Sequence, residues 1–505
     1  MSPIGKLAAI GVAAALAALS ATNALALPDK IKIAQGALQG VTDDGVTSFK
    51  GIPFAPPPVG PLRWAPPQDP PKWKGVRAAT SFGPSCTQAT VRADTTSSED
   101  CLYLNVWSAA ANAKAKLPVM VWIYGGAFVM GSSSYPTYDG ARFAKQGVVL
   151  VSLNYRLGRF GFFAHPALTK EHPEGPLGNY GLMDQIAALK WVKDNIAKFG
   201  GDPNNVTIFG ESAGGMSVNY LMVSPAARGL FEKAISESGF GRQALAPIRG
   251  GPRGAEEAGA AWAKANGAPE GATAAQLRAL PADVVAARGG GLAGAVSSFP
   301  MIDGVILTEQ VASAFAAGHQ APVPYLLGGN SYEASLFRPT PEQVLPLLGA
   351  QKEAVVALFG GEANLAKTVA DISTDRAITE PNRYLAREMK TVGKPAYVYY
   401  FSYLPEALRG TYLGLPHGGE IPYVFGNLRP TATAQDRAIS DAATKYWVAF
   451  AKTGDPGDAG GPRWPAYDEA SDEWMEFAAD GPHVRARFRA AQLDWLEANQ
   501  LSAPR

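Results

Sequence analysis

The sequence predicts an α/β protein with a mostly parallel sheet flanked by helices, and three observations carry that expectation. Short apolar runs rich in β-branched residues recur along the chain, and helical stretches with one apolar face lie between them. The 505 residues, 47% hydrophobic and 18% charged, are enough to bury a large core. Strands and helices that alternate from about residue 118 to residue 401 make the pattern of a sheet whose crossovers are helical.

The N-terminus stands apart. Lys6 precedes the apolar run Leu7 to Leu19, and Ala24-Leu25-Ala26 offers a small-x-small cleavage pattern. Residues 1–26 therefore read as a signal peptide, since the run is shorter than the ~20 residues that span a bilayer. A secreted or periplasmic mature protein is expected, with residues 27–505 forming one domain. Losing Lys6 takes the formal net charge from +1 to zero. No later segment is long and apolar enough to span a membrane.

Balanced charge, 45 Lys and Arg against 44 Asp and Glu, leaves no excess to neutralise a phosphate backbone, so no nucleic-acid partner is expected. Five scattered histidines lack zinc-ligand spacing, and two cysteines cannot build a thiolate zinc site; no metal or cofactor is expected. In an oxidising compartment Cys86 and Cys101 predict a disulfide that ties down the polar tract between them. Two unpaired buried thiols are the alternative.

Along the mature chain, Gly36, Gly40, Gly45 and Gly51 punctuate short strand-like runs, and repeated proline between Phe54 and Pro71 excludes helix. Pro118 to Ile123 and Val148 to Leu153 read as strands buried on both faces. Met183 to Phe199 spaces Ile186, Leu189, Val192, Ile196 and Phe199 at three and four, a helix with Lys190, Lys193, Asp194 and Lys198 elsewhere around it. Further strands are expected at Val206–Phe209, Val323–Leu327 and Tyr397–Phe401. Residues 245–300 and 335–390, rich in Ala, read as helical insertions that wall a pocket; ordinary core helices are the alternative.

The chemistry concentrates at Ser212. Gly210-Glu211-Ser212-Ala213-Gly214 is a G-x-S-x-G with a strand before it and a helix-permissive stretch after it, the context of a nucleophile elbow. A serine hydroxyl needs a base, and the base needs a carboxylate to hold its tautomer. In this arrangement the acid and histidine follow the serine in the chain. Of His319, His417 and His483, His417 lies in the glycine-rich loop Leu415 to Glu420. His319 reads as a helix C-cap and His483 as surface. Glu333, just beyond the strand ending at Leu327, is the candidate acid, with Asp303 a serious competitor. Gly125-Gly126-Ala127 follows a strand, and its amides together with that of Ala213 are candidate donors to an oxyanion. Phe128 beside them is a candidate substrate contact. Ser238, in Ser236-Glu237-Ser238-Gly239, lies near the triad or is simply a buried serine.

Over residues 30–480 the chain resembles the type-B carboxylesterase family of α/β-hydrolases. The matching segments are Phe49 to Pro53, Gly60 to Trp64, Glu99 to Val106, Asn154-Tyr155-Arg156, Asp184 to Pro203, Val206 to Gly215 and His417 to Gly426. The resemblance implies an α/β-hydrolase fold, with Ser212 as nucleophile, Glu333 as acid and His417 as base. It also implies Gly126, Ala127 and Ala213 as oxyanion donors, and it supports the Cys86–Cys101 disulfide. The expected reaction is hydrolysis of small, largely apolar neutral carboxylic esters through an acyl-enzyme. An amidase, carbamate hydrolase or lactonase on the same triad, and a non-catalytic adhesion module, are the alternatives. Cholinesterases carry a tryptophan in the loop closed by this disulfide; residues 87–100 contain no aromatic, which argues against choline esters. Asn205-Val206-Thr207 matches a glycosylation sequon but falls on the expected strand.

Overall fold

The computed structural model describes residues 27–89, 96–172, 174–175, 177–250, 254–287 and 298–499. The expected signal peptide lies outside them. The framework is an eleven-stranded sheet. Its strands are β1 (Val41–Asp43), β2 (Val46–Pro53), β3 (Tyr103–Ser108), β4 (Leu117–Ile123), β5 (Val149–Leu153) and β6 (Gly201–Glu211). They continue with β7 (Lys233–Glu237), β8 (Tyr325–Asn330), β9 (Ala396–Phe401), β10 (Trp474–Ala478) and β11 (Gly481–Arg485). In space they run β11-β10-β9-β8-β7-β6-β4-β5-β3-β2-β1. From β10 through to β5 every neighbouring pair is parallel, and antiparallel strands close both edges. This is a mixed sheet flanked by helices, the α/β-hydrolase architecture.

The apolar runs explain the parallel centre. Every residue of β5, β7, β8 and β9 is buried, as strands covered by helices on both faces must be. Strand β8 starts two residues later than expected and runs on through Gly328 and Gly329. Pro324, which has no N–H to give the ladder, sits just outside it. The sequon Asn205-Val206-Thr207 lies within β6, where Val206 and Thr207 are fully buried.

Seven helices matter below: α1 (Tyr180–Asn195), α2 (Ala213–Val223), α3 (Ala255–Ala265), α4 (Leu365–Thr374), α5 (Glu380–Glu388), α6 (Ala434–Thr453) and α7 (Ala490–Asn499). Helix α1 passes into a 3₁₀ turn, Ile196–Phe199, and leaves Lys190, Asp194 and Lys198 exposed. Helices α3, α4 and α5 lie within the Ala-rich stretches 245–300 and 335–390. The main hydrophobic core spans sheet and helices; within it Trp122 packs within 5.1 Å of Phe209, Phe425 and Tyr138. Cys86 and Cys101 form a disulfide. Among the described residues no helix is long and apolar enough to cross a membrane.

Candidate active site

Strand β6 ends at Glu211 and helix α2 begins at Ala213, so Ser212 is the whole connection. It takes up the turn with φ 58° and ψ −123°, a left-handed conformation that costs a non-glycine residue about 1–3 kcal/mol. Its N–H donates to the Glu237 carbonyl on β7 at 2.9 Å, and its carbonyl accepts from Met216 at 2.8 Å, which holds the turn from both sides. The flanking glycines are sterically required: a Cβ on Gly214 would stand 1.9 Å from the Ile123 carbonyl oxygen. The hydroxyl is thereby presented at the N-terminal end of α2, at the positive pole of its dipole.

Two loops from distant sequence meet it. The one leaving β8 carries Glu333, and the one carrying His417 is stitched to it by backbone bonding of Tyr332 to Leu415 at 2.9 Å. Leu415 N–H donates to Ser331 Oγ at 2.9 Å, and His417 N–H to Ser335 Oγ at 2.9 Å. The imidazole therefore spans a prepared gap. Its Nδ1 lies 2.5 Å from Glu333 Oε2 and its Nε2 2.7 Å from Ser212 Oγ. With Nδ1–H donating to Glu333, Nε2 is left to accept the serine proton. Glu333 is fully buried, and its second oxygen accepts from Asn330 N–H at 2.6 Å and Ser238 O–H at 2.5 Å. Ser238 itself has φ 52° and no exposure.

The turn after β4 adjoins Ser212: a Cβ on Gly125 would come 2.8 Å from the Ser212 Cβ. Gly126, Ala127 and Phe128 have φ of 112°, 54° and 61°, three consecutive left-handed residues. Val129 and Met130 N–H groups close the turn onto the Gly126 carbonyl at 3.0 and 3.1 Å. The N–H groups of Gly126, Ala127 and Ala213 hydrogen-bond to no other described residue. Phe128 is fully buried, its ring edge-on to Phe162 and Phe299 at 5.1 Å. It therefore backs the half-buried Phe299 and does not itself line open space.

The remaining candidates lie elsewhere. His319 Nδ1 pairs with Glu309 on the surface at 2.7 Å, and His483 with Asp480 at 2.8 Å. Asp303 accepts from the N–H groups of Val305, Ile306 and Leu307 and from Asn179, and so pins a loop.

Sequence reasoning overlooked the carboxylates around the histidine. Glu211, the variable residue of the elbow, places Oε1 3.2 Å from His417 Nε2 and is buried. Burial raises its carboxyl to about 7, with His417 pulling down and Glu333 pushing up. Glu420, three residues after His417, hydrogen-bonds Asn330 Nδ2 and is pushed up to about 8 by burial, Glu211 and Glu333. Glu237 accepts from Trp447 Nε1 at 2.7 Å and is raised well above its ordinary value by burial. Burial works against a charged His417, but Glu211 and then Glu333 outweigh it and lift the ring to about 10. The carboxylates beside the ring thus favour its charged form and make the imidazole a stronger base. The signal available in sequence was an acidic residue inside the elbow, Glu211, and another closing the histidine loop, Glu420. Among the described residues no cluster of His, Cys, Asp and Glu has metal-binding geometry.

Comparison with known proteins agrees with this architecture. The sequence model of the carboxylesterase family matches residues 28–358 and 359–496. Fumonisin B1 esterase of Sphingopyxis macrogoltabida is 37% identical over 480 residues, covering 88% of this chain and 85% of the relative. Para-nitrobenzyl esterase of Bacillus subtilis (strain 168) is 37% identical over 472 residues, covering 87% and 93%. The crystal structure of the Geobacillus stearothermophilus carboxylesterase EST55 superposes with a TM-score of 0.79 at 35% identity, covering 92% of this chain and all of that one. The chain belongs to the carboxylesterase family, and it is a carboxylic-ester hydrolase.

Proposed function

We propose that this protein hydrolyses small, largely apolar neutral esters through an acyl-enzyme on Ser212, with His417 as base and Glu333 as the acid that orients it. The observation that carries the reading is the relay of 2.7 Å from Ser212 Oγ to His417 Nε2 and 2.5 Å from Nδ1 to Glu333. His417 takes the serine proton as Oγ attacks the ester carbonyl. The tetrahedral oxygen is met by the N–H groups of Gly126, Ala127 and Ala213, preorganised because the left-handed turn and the start of α2 hold them without other partners. His417 then protonates the departing alkoxide, and water, activated by the same ring, releases the acid. No cofactor enters these steps.

Substrate preference follows from what surrounds the ring. Phe240 lies 6.1 Å from His417 and packs edge-on against Phe337, and Leu336 and Phe337 are 49% and 42% exposed beside the acid. Apolar side chains in water at this position favour an apolar acyl or alcohol group. The buried carboxylates disfavour an anionic group next to the reacting carbonyl. An exported, disulfide-bearing chain with residues 1–26 removed completes the reading.

Ser212→Ala tests it. The variant is expected to keep its circular dichroism spectrum and to lose hydrolysis of p-nitrophenyl butyrate together with labelling by a fluorophosphonate probe. Retained turnover by the folded variant would refute Ser212 as nucleophile. Parallel assays with the matching anilide, carbamate and lactone compare ester with the other acyl-transfer substrates.

A further inference from the structure

The catalytic acid has a second support, reached through the C-terminal end of the chain. Helix α4 does not continue directly into α5; a π-helical turn, Asp375–Thr379, joins them. Such turns are rare and recur at functional positions. This one lies under Glu333. Thr374 Oγ1, the last residue before it, accepts the N–H of Ala334, the neighbour of the acid, at 3.1 Å. Ile378 presses on the end of β8: a Cβ on Gly329 would be 2.4 Å from its Cγ2 and 2.8 Å from Glu333 Oε1.

The turn is held from its other side by one cation. Asp375 is fully buried, and its Oδ2 accepts from Arg489 Nε at 2.7 Å, with Arg489 Nη2 at 2.6 Å. A buried carboxylate in this position requires a charge partner. Arg489 is fixed in turn. Its φ is 52°, its carbonyl accepts from Leu493 N–H to open α7, and its guanidinium lies 5.8 Å from the Phe359 ring. Phe488 before it packs on Tyr400 and Trp474 at 4.9 and 5.7 Å. Helix α7 then buries Leu493 and Leu496 and is tied to α5 by Arg383 with Asp494 and by Arg387 with Glu497.

We propose that Arg489 is a positioning residue for ester hydrolysis: through Asp375 it fixes the π-helical turn against which Glu333 is registered to His417. The proposal rests on the reading of Glu333 as the acid that orients the histidine. The C-terminal helix is on this view part of the catalytic scaffold as well as a covering of the core. Displacing a group near the chemistry by about 1 Å costs up to about a hundredfold in rate, so a loosened turn is expected to act on kcat far more than on KM.

The test compares Arg489→Met, Arg489→Lys and the double variant Asp375→Asn/Arg489→Met, which removes both charges and leaves no unpaired carboxylate in the core. Arg387→Met, which cuts a more distant tie of the same helix, is the control. Three readouts are taken on the full chain: kcat and KM for p-nitrophenyl butyrate, the melting temperature, and the low-field proton resonance of the His417–Glu333 hydrogen bond. The expected result is a fall of about tenfold to a hundredfold in kcat with KM nearly unchanged in the double variant, a shifted or broadened resonance, and substantial recovery in Arg489→Lys. Arg387→Met is expected to lower the melting temperature alone. A folded double variant with normal kcat and an unmoved resonance would overturn the proposal, as would an equal loss of kcat in Arg387→Met. Glu333→Gln, measured alongside, separates the two readings: if it retains kcat, the role of Glu333 fails; if it loses kcat while the double variant does not, only the role of Arg489 fails.

Discussion

Replacing Glu211 by Gln changes one charge beside the base while keeping the size of the side chain. In the parent, Glu211 Oε1 is 3.2 Å from His417 Nε2, the nitrogen proposed to accept the serine proton. At an effective dielectric near 20, two unit charges at that distance attract by about 5 kcal/mol. That is an upper limit, because the Glu211 carboxyl, raised to about 7, is itself partly protonated near neutrality. An opposite charge this close moves a pKa by about 1–3 units. The sign follows directly. An anion beside the ring favours imidazolium, so Glu211 contributes to holding His417 up, and removing it lowers the ring's pKa. Neutral base then persists to lower pH, and the acid limb of the kcat/KM profile moves downward by about 1–3 units. The assay is hydrolysis of p-nitrophenyl butyrate between pH 4.5 and 10 with constant ionic strength, followed at a wavelength independent of nitrophenol ionisation. A uniform loss of rate with an unmoved acid limb would refute the electrostatic account and leave Glu211 a packing residue.

Ser238→Ala leaves Glu333 Oε1 with only the Asn330 N–H; kcat is expected to fall about tenfold to a hundredfold with KM little changed, measured by initial rates. Gly126→Ala places a Cβ 2.1 Å from the Met130 carbonyl oxygen on a backbone at φ 112°, so the donor turn must open. A loss of about a hundredfold to a thousandfold in kcat is expected from such a missing donor, and activity within a few-fold of the parent would contradict the oxyanion assignment. Removing the disulfide as Cys86→Ala/Cys101→Ala, whose cysteines are 15 residues apart, is expected to cost about 3 kcal/mol. Chemical denaturation reads this as a lower midpoint.

The turn at Ser212 was legible because its constraint is local. A strand, one residue and a helix leave no room for side chains at 210 and 214, and that shortage of space is written as glycine on either side of Ser212. The parallel centre was legible for a similar reason: strands covered on both faces have to be apolar throughout. The C-terminal edge of the sheet was not. Strand β11 is half-buried and has no apolar run to mark it, and β10 is recognisable only through its pairing with β9 and β11. Helix α6, the twenty-residue helix that carries Trp447 to Glu237, also escaped notice in the sequence.

What the sequence by itself determined, then, was the class of fold and the glycine-flanked turn at Ser212, and through resemblance it pointed to Glu333 and His417 as the proposed acid and base. Only the tertiary structure decided how those residues are tuned. It turned Phe128 into the core behind Phe299, bonded Ser238 to Glu333, and gathered Glu211 and Glu420 with Glu333 around one imidazole. It also paired Arg489 with Asp375 in the turn that adjoins the loop of Glu333. The reason is physical: a backbone conformation is dictated by neighbours in the chain, and so leaves a pattern in the sequence. A pKa or a side chain's orientation is dictated by charges and contacts brought together from residues more than two hundred positions apart, and leaves none.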